Sequence, residues 1–137
     1  MSSPSIALHQ HRFVTPRIWA RAQRPHVDAL LLEQAHLEKK AAAGAVAFLF
    51  RLPTDPDRHR QLSALAREEL VHFERTLKLL RARGAEFAPQ ESSGYAERLK
   101  KAVGGDRRQR LADELSIAAV IEMRSHERMS MLAEELV

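Results

Sequence analysis

Three stretches carry apolar residues at helical spacing with no proline past their first residue, over about 26–52, 56–83 and 107–136. That pattern leaves little room for anything but a helical bundle. From His26 to about Leu52 alanine and leucine dominate, which favours one uninterrupted helix. Pro53-Thr54-Asp55-Pro56 then reads as a turn, with Asp55 capping and Pro56 opening the second long helix. That helix runs to Gly84, a residue suited to a helix end. Residues 85–94, with Pro89, Ser92, Ser93 and Gly94, read as a loop. A short amphipathic helix is expected from Tyr95 to about Val103, closed by Gly104-Gly105. The third long helix begins near Asp106 and is still periodic at Val137. Upstream, Thr15-Pro16 reads as an N-cap and first helical position of a short helix through Trp19 that stops before Pro25. Residues 1–14, which include His9 and His11, show no period and read as a loose arm. No segment alternates apolar and polar residues over strand length between turn signals, so the class is all-α.

At 137 residues the chain is expected to form one domain, spanning 1–137. It has no cysteine, which excludes disulfides and zinc–thiolate sites and suits a reducing compartment, so a cytoplasmic location is expected. No apolar run reaches the roughly 18 residues a membrane span needs, and no membrane partner is expected. Met1-Ser2-Ser3-Pro4 shows no charged region leading into an apolar run, so no secretory signal is expected. The net charge of +4, carried mostly by arginine, tolerates a phosphate-rich partner without demanding one. The arginines read equally well as solvated helix faces.

The positions of the acids are more informative. Helix neighbours three, four and seven residues apart share a face. Around Glu38 these are Leu31, Gln34, Ala35, Ala41, Ala42 and Ala45; around Glu69, Leu62, Leu65, Ala66, His72, Phe73 and Thr76; around Glu122, Leu115, Ala118, Ala119, Ser125, His126 and Met129. Each long helix thus sets one glutamate in a mostly apolar stripe. A buried carboxylate there is costly unless paired or metal-bound, and three of them near mid-helix could converge on one cation. Glu69-Leu70-Val71-His72 adds a Glu-x-x-His pair, and carboxylate oxygens with an imidazole suit iron or manganese. The motif by itself is weak, because Glu33-Gln34-Ala35-His36 repeats it with its glutamate on a face shared with Lys40 and Arg51, which reads as a solvent-side coincidence. Salt bridges to arginines such as Arg67 or Arg124, with a packed histidine, remain the alternative to metal ligation. His126 reads more readily as a packed histidine than as a substitute ligand.

Several segments, in order, resemble the tRNA 2-methylthio-N6-isopentenyladenosine hydroxylases, non-haem di-iron monooxygenases of the ferritin-like superfamily. They are Thr15-Pro16 with Trp19, Glu38-Lys39-Lys40-Ala41-Ala42, Leu65-Ala66-Arg67-Glu68-Glu69-Leu70-Val71-His72-Phe73-Glu74, and Ile121-Glu122-Met123-Arg124-Ser125 followed by Glu127-Arg128. The resemblance spans roughly residues 13–136. It implies a ferritin-like fold and two iron ions, with Glu38 a terminal ligand, Glu69 a bridging ligand, His72 completing the first iron's shell and Glu122 on the second iron. It further implies hydroxylation of the isopentenyl group of a modified adenosine beside the tRNA anticodon, with dioxygen as co-substrate and electrons from a partner reductase. Lys39, Lys40 and some arginines would then meet tRNA phosphates.

The family's fourth helix, with a second Glu-x-x-His, has no counterpart after Glu122, so the bundle is expected to lack it and to be incomplete at the C-terminus. A truncated chain or partial reading frame is the favoured account of that ending. A shortened relative that forms a homodimer through its exposed apolar face, and a decayed relative without metal, are the others. In function the alternatives are another ferritin-like iron-binding or oxidase protein, and a non-enzymatic helical interaction module.

Overall fold

The computed structural model describes residues 14–136. Its elements are α1 (Arg17–Gln23), a 3-10 turn (Arg24–His26), α2 (Val27–Leu49), α3 (Pro56–Ala82), α4 (Tyr95–Lys100) and α5 (Arg107–Leu136), with no strand among the described residues. The expected arm, with His9 and His11, lies outside the described residues but for Val14. The chain divides into two compact units, His26–Ser92, and Met1–Pro25 with Ser93–Val137. Among the described residues no helix is long and apolar enough to cross a membrane.

The first unit is a hairpin of α2 and α3. The ladder of α2 stops at Leu49, ahead of Pro53, which cannot donate and disfavours helical geometry at Leu52. Asp55 then caps α3: its Oδ1 accepts from Asp57 N at 3.0 Å and Arg58 N at 3.4 Å, with Pro56 as the first helical residue. Asp55→Ala should therefore cost about 1 kcal/mol. Thermal unfolding followed by circular dichroism should show Tm lower by roughly 3–5 °C; an unchanged Tm would mean the cap contributes nothing. At the other end Gly84 adopts φ +74°, its N–H bonds to Arg81 O, and the N–H of Ala85 bonds to Leu80 O at 2.9 Å. This is the Schellman closure that a glycine permits.

The two helices run antiparallel, since Arg83 at the end of α3 pairs with Asp28 at the start of α2, and Thr76 reaches Glu38 further in. Their seams follow a heptad-like spacing. Ala35, Glu38, Ala42 and Ala45 are buried on α2, and Ala66, Glu69, Thr76 and Leu80 on α3. Alanine at these positions lets the backbones approach closely. The following loop is pinned back on α2: His36 Nε2 lies 2.8 Å from Ala88 O, and its ring stacks on Phe87 at 4.8 Å. Phe73 meets Phe87 edge-on and Lys39 lies over the same ring. His36 thus anchors this loop to α2. Leu65, Leu70, Val71 and Leu79 of α3 remain exposed.

In the second unit α1 and α4 pack on α5, with Ala20 and Leu132 buried. Asp106 caps α5, its Oδ1 accepting from Gln109 N at 2.9 Å. The start of α1 differs from expectation. Pro16 is the cap residue and Arg17 the first helical one, while Thr15 caps nothing. Both Thr15 donors go instead to Glu127 on α5, N–H to Oε1 at 2.7 Å and O–H to Oε2 at 3.1 Å. Charge-assisted bonds to a carboxylate outcompete a local cap.

Candidate metal centre

The seam of the α2–α3 hairpin carries two acids where apolar residues would ordinarily pack. Glu38 and Glu69 are each 8% exposed. Most of their neighbours along the stripes are small or apolar, so neither carboxylate is placed there by solvent. Glu38 is held from two sides: Thr76 Oγ1 donates to its Oε2 at 2.9 Å, and Gln34 Nε2 donates to its Oε1 at 3.3 Å. The other end of the same amide, Gln34 Oε1, is buried without a hydrogen-bond partner. A buried acceptor left this way costs free energy unless a donor is supplied.

His72 lies one turn after Glu69 on α3, its Nδ1 3.9 Å from Glu69 Oε2, with half of its side chain exposed. The spacing expected from Glu-x-x-His is therefore realised, with the imidazole at the edge of the seam and the carboxylate inside it. Thr76 stands seven residues beyond Glu69, about 10 Å along the helix. Glu38, held by Thr76, and Glu69 are both buried on the α2–α3 seam. Among the described residues no group of three or more His, Asp or Glu side chains is gathered closely enough to hold a metal ion. The donor set itself suits a hard cation: two buried carboxylates, a neighbouring imidazole and an unsatisfied amide oxygen.

In the other unit, Glu122 and His126 sit one turn apart on α5 and both are exposed. The stripe expected to enclose Glu122 is open there, because Ala118 and Ala119 on the same face are exposed as well. The arginines considered as alternative partners make local bonds: Arg67 donates to Ser63 at 2.9 Å, and Arg124 to Glu127 at 2.9 Å. Thr76 and Gln34 were not singled out by sequence reasoning. Their signal was present, since both are polar residues on an otherwise apolar stripe beside a glutamate.

The chain was compared with known proteins. A family model described as "tRNA-(MS[2]IO[6]A)-hydroxylase (MiaE)" matches residues 4–136. A curated tRNA 2-(methylsulfanyl)-N(6)-isopentenyladenosine(37) hydroxylase from Pseudomonas putida is 36% identical over 122 residues, which cover 89% of this chain and 60% of the relative. A solved structure, "Protein 43 with aldehyde deformylating oxygenase activity from Synechococcus", matches with a TM-score of 0.82 at 42% identity, covering 88% of this chain and 60% of that one. The chain thus spans 60% of the length of each. The fold is all-α and ferritin-like.

Proposed function

Because this chain belongs to the MiaE family of tRNA hydroxylases, we propose that it carries part of the metal centre of a non-haem di-iron tRNA hydroxylase. The observation that supports this reading most is the pair of carboxylates, Glu38 and Glu69, in the seam of an otherwise small and apolar helix hairpin. Glu38, Glu69 and His72 would hold iron in the hairpin unit, and Glu122 is the further candidate ligand on α5, with His126 as its possible substitute. When bound, the irons would supply activation of dioxygen.

The chain's own residues prepare that site. Thr76 and Gln34 fix the rotamer of Glu38, so that its carboxylate is oriented before any cation arrives. Ala42 and Ala45, buried on the same seam, keep the space beside Glu38 small in side-chain volume and dry. Gln34 Oε1 offers an acceptor for a hydroxyl or water donor entering the seam. The substrate is the isopentenyl side chain of 2-methylthio-N6-isopentenyladenosine beside the anticodon. Its methyl group takes one oxygen atom of dioxygen to become a hydroxymethyl, and the second oxygen leaves as water with two protons and two electrons from a reductase.

Iron bound per chain after anaerobic loading with Fe(II) tests the reading. The parent protein should bind iron that the Glu69→Ala, His72→Ala double variant does not. Equal iron in the two proteins would remove the assignment of these residues as ligands.

A further inference from the structure

Away from the carboxylate seam, the unit built from α1, α4 and α5 holds an open cavity of about 310 Å³. Its walls include Thr15, Trp19, Tyr95, Arg124 and Arg128, and none of the described residues lining it is acidic. Two aromatic rings and two guanidinium groups thus face one space of the size a single small ligand fills. The arginines differ in state. Arg124 is tied to Glu127, the same carboxylate that anchors Thr15, so this wall is held in place. Arg128 lies with its guanidinium 6.0 Å from the Trp19 ring centroid. Its Nε makes only a long bond of 3.4 Å to Arg124 O, so the charged head is weakly constrained. Among the described residues, neither the Trp19 indole N–H nor the Tyr95 hydroxyl is engaged in a hydrogen bond.

We propose that this cavity is an RNA-docking site, in which one unpaired nucleotide stacks its base on Trp19 beside Tyr95 and sets its phosphate against Arg128. The chemistry selects that ligand class. A planar ring favours the aromatic wall whatever its base identity, and an anion favours the guanidiniums, so a single-stranded nucleotide satisfies both at once. An acidic peptide would use the charge and leave the aromatic surface idle. The inference rests on the tRNA reading above, and it locates on this chain a contact that positions the RNA rather than reacts with it.

Trp19 is the only tryptophan in the chain, so its emission reports on the cavity directly. The test titrates the full chain with a labelled anticodon stem–loop RNA, reading both label anisotropy and Trp19 fluorescence. Adenosine monophosphate and a polyglutamate peptide serve as comparison probes. RNA should quench Trp19. Trp19→Ala should weaken binding about 10-fold or more. Arg128→Gln should weaken it about 5- to 10-fold and lower the slope of log affinity against log salt by about one. Arg128→Gln keeps the aromatic wall, so it remains decisive if Trp19→Ala disturbs α1. RNA binding with silent Trp19 emission and parent-like variants would overturn the cavity while leaving the tRNA reading intact. No RNA binding by the parent would overturn both. Quenching by polyglutamate or the free nucleotide at matching affinity would overturn the assignment to RNA.

Discussion

Fe(II) added anaerobically to the metal-free chain should raise its Tm by on the order of 10 °C, and Glu69→Ala with His72→Ala should erase that rise. A ligand that binds only the folded state stabilises it by about 3–4 kcal/mol at 100 to 1,000 times its dissociation constant, and for a domain of this size each kcal/mol is worth about 3 °C. The metal-free comparison sets the baseline. Glu69 is buried and its carboxylate is not without a partner, and removing one member of a buried pair is destabilising. Glu69→Met should therefore be less stable than the parent without metal, and the gap should widen once iron is added. That widening separates a metal site from its rivals. If Glu69 served a structural bond alone, the gap between Glu69→Met and the parent would be the same at every iron concentration. If the chain were only a helical interaction module, removing Glu38, Glu69 and Glu122 together would leave stability unchanged or raised, with iron irrelevant in both proteins. Loss of the iron-dependent shift in the parent itself would sink the metal reading.

The features that sequence alone disclosed are those whose causes are local. Asp55 and Pro56 open α3, and Gly84 closes it, because a cap, a proline and a left-handed glycine act within a few residues. Glu38 and Glu69 were visible as candidates because helical periodicity alone assigns them to an apolar stripe, and both are indeed buried. Periodicity names a face but not what lies over it. Glu122 has the same sequence surroundings as the other two and is nevertheless exposed. His36 shows the reverse: its own helix places it near charged residues, yet the loop beyond Gly84 folds back and stacks Phe87 on its ring. Thr15 has the local signature of a cap, but its partner is 112 residues away. No pattern read along one helix could announce that pairing. Thr76 and Gln34 lie between these cases, since a polar residue on an apolar stripe signals an unmet need without naming its partner.

The Thr15 pairing leads to the second large effect. Glu127→Ala should destabilise the chain by about 2–4 kcal/mol, because the carboxylate it removes is the common acceptor of three donors. These are the Thr15 N–H, the Thr15 hydroxyl and the Arg124 guanidinium. Glu127 is 14% exposed and Arg124 27% exposed at the side chain, so water replaces the lost acceptor poorly. The damage should be specific to the segment that enters α1, where Thr15 is buried and the surrounding ion pairs of Arg17, Arg21 and Arg24 with Glu134 and Glu135 are more solvated. Such surface pairs contribute little by comparison. Hydrogen exchange should therefore speed up first in α1, before the α2–α3 hairpin responds. Glu127→Gln should cost less than the alanine, since its amide oxygen still accepts one of the three bonds. The double variant Thr15→Val, Glu127→Ala should fall short of the sum of the single changes, with a coupling of about 1 kcal/mol. Strict additivity would show that the two residues do not depend on each other. Because Glu127 belongs to the stretch that resembles the family's third-helix segment, iron binding gives a further distinction. As a clamp on α1 rather than a ligand, Glu127→Gln should leave iron per chain at the parent's level.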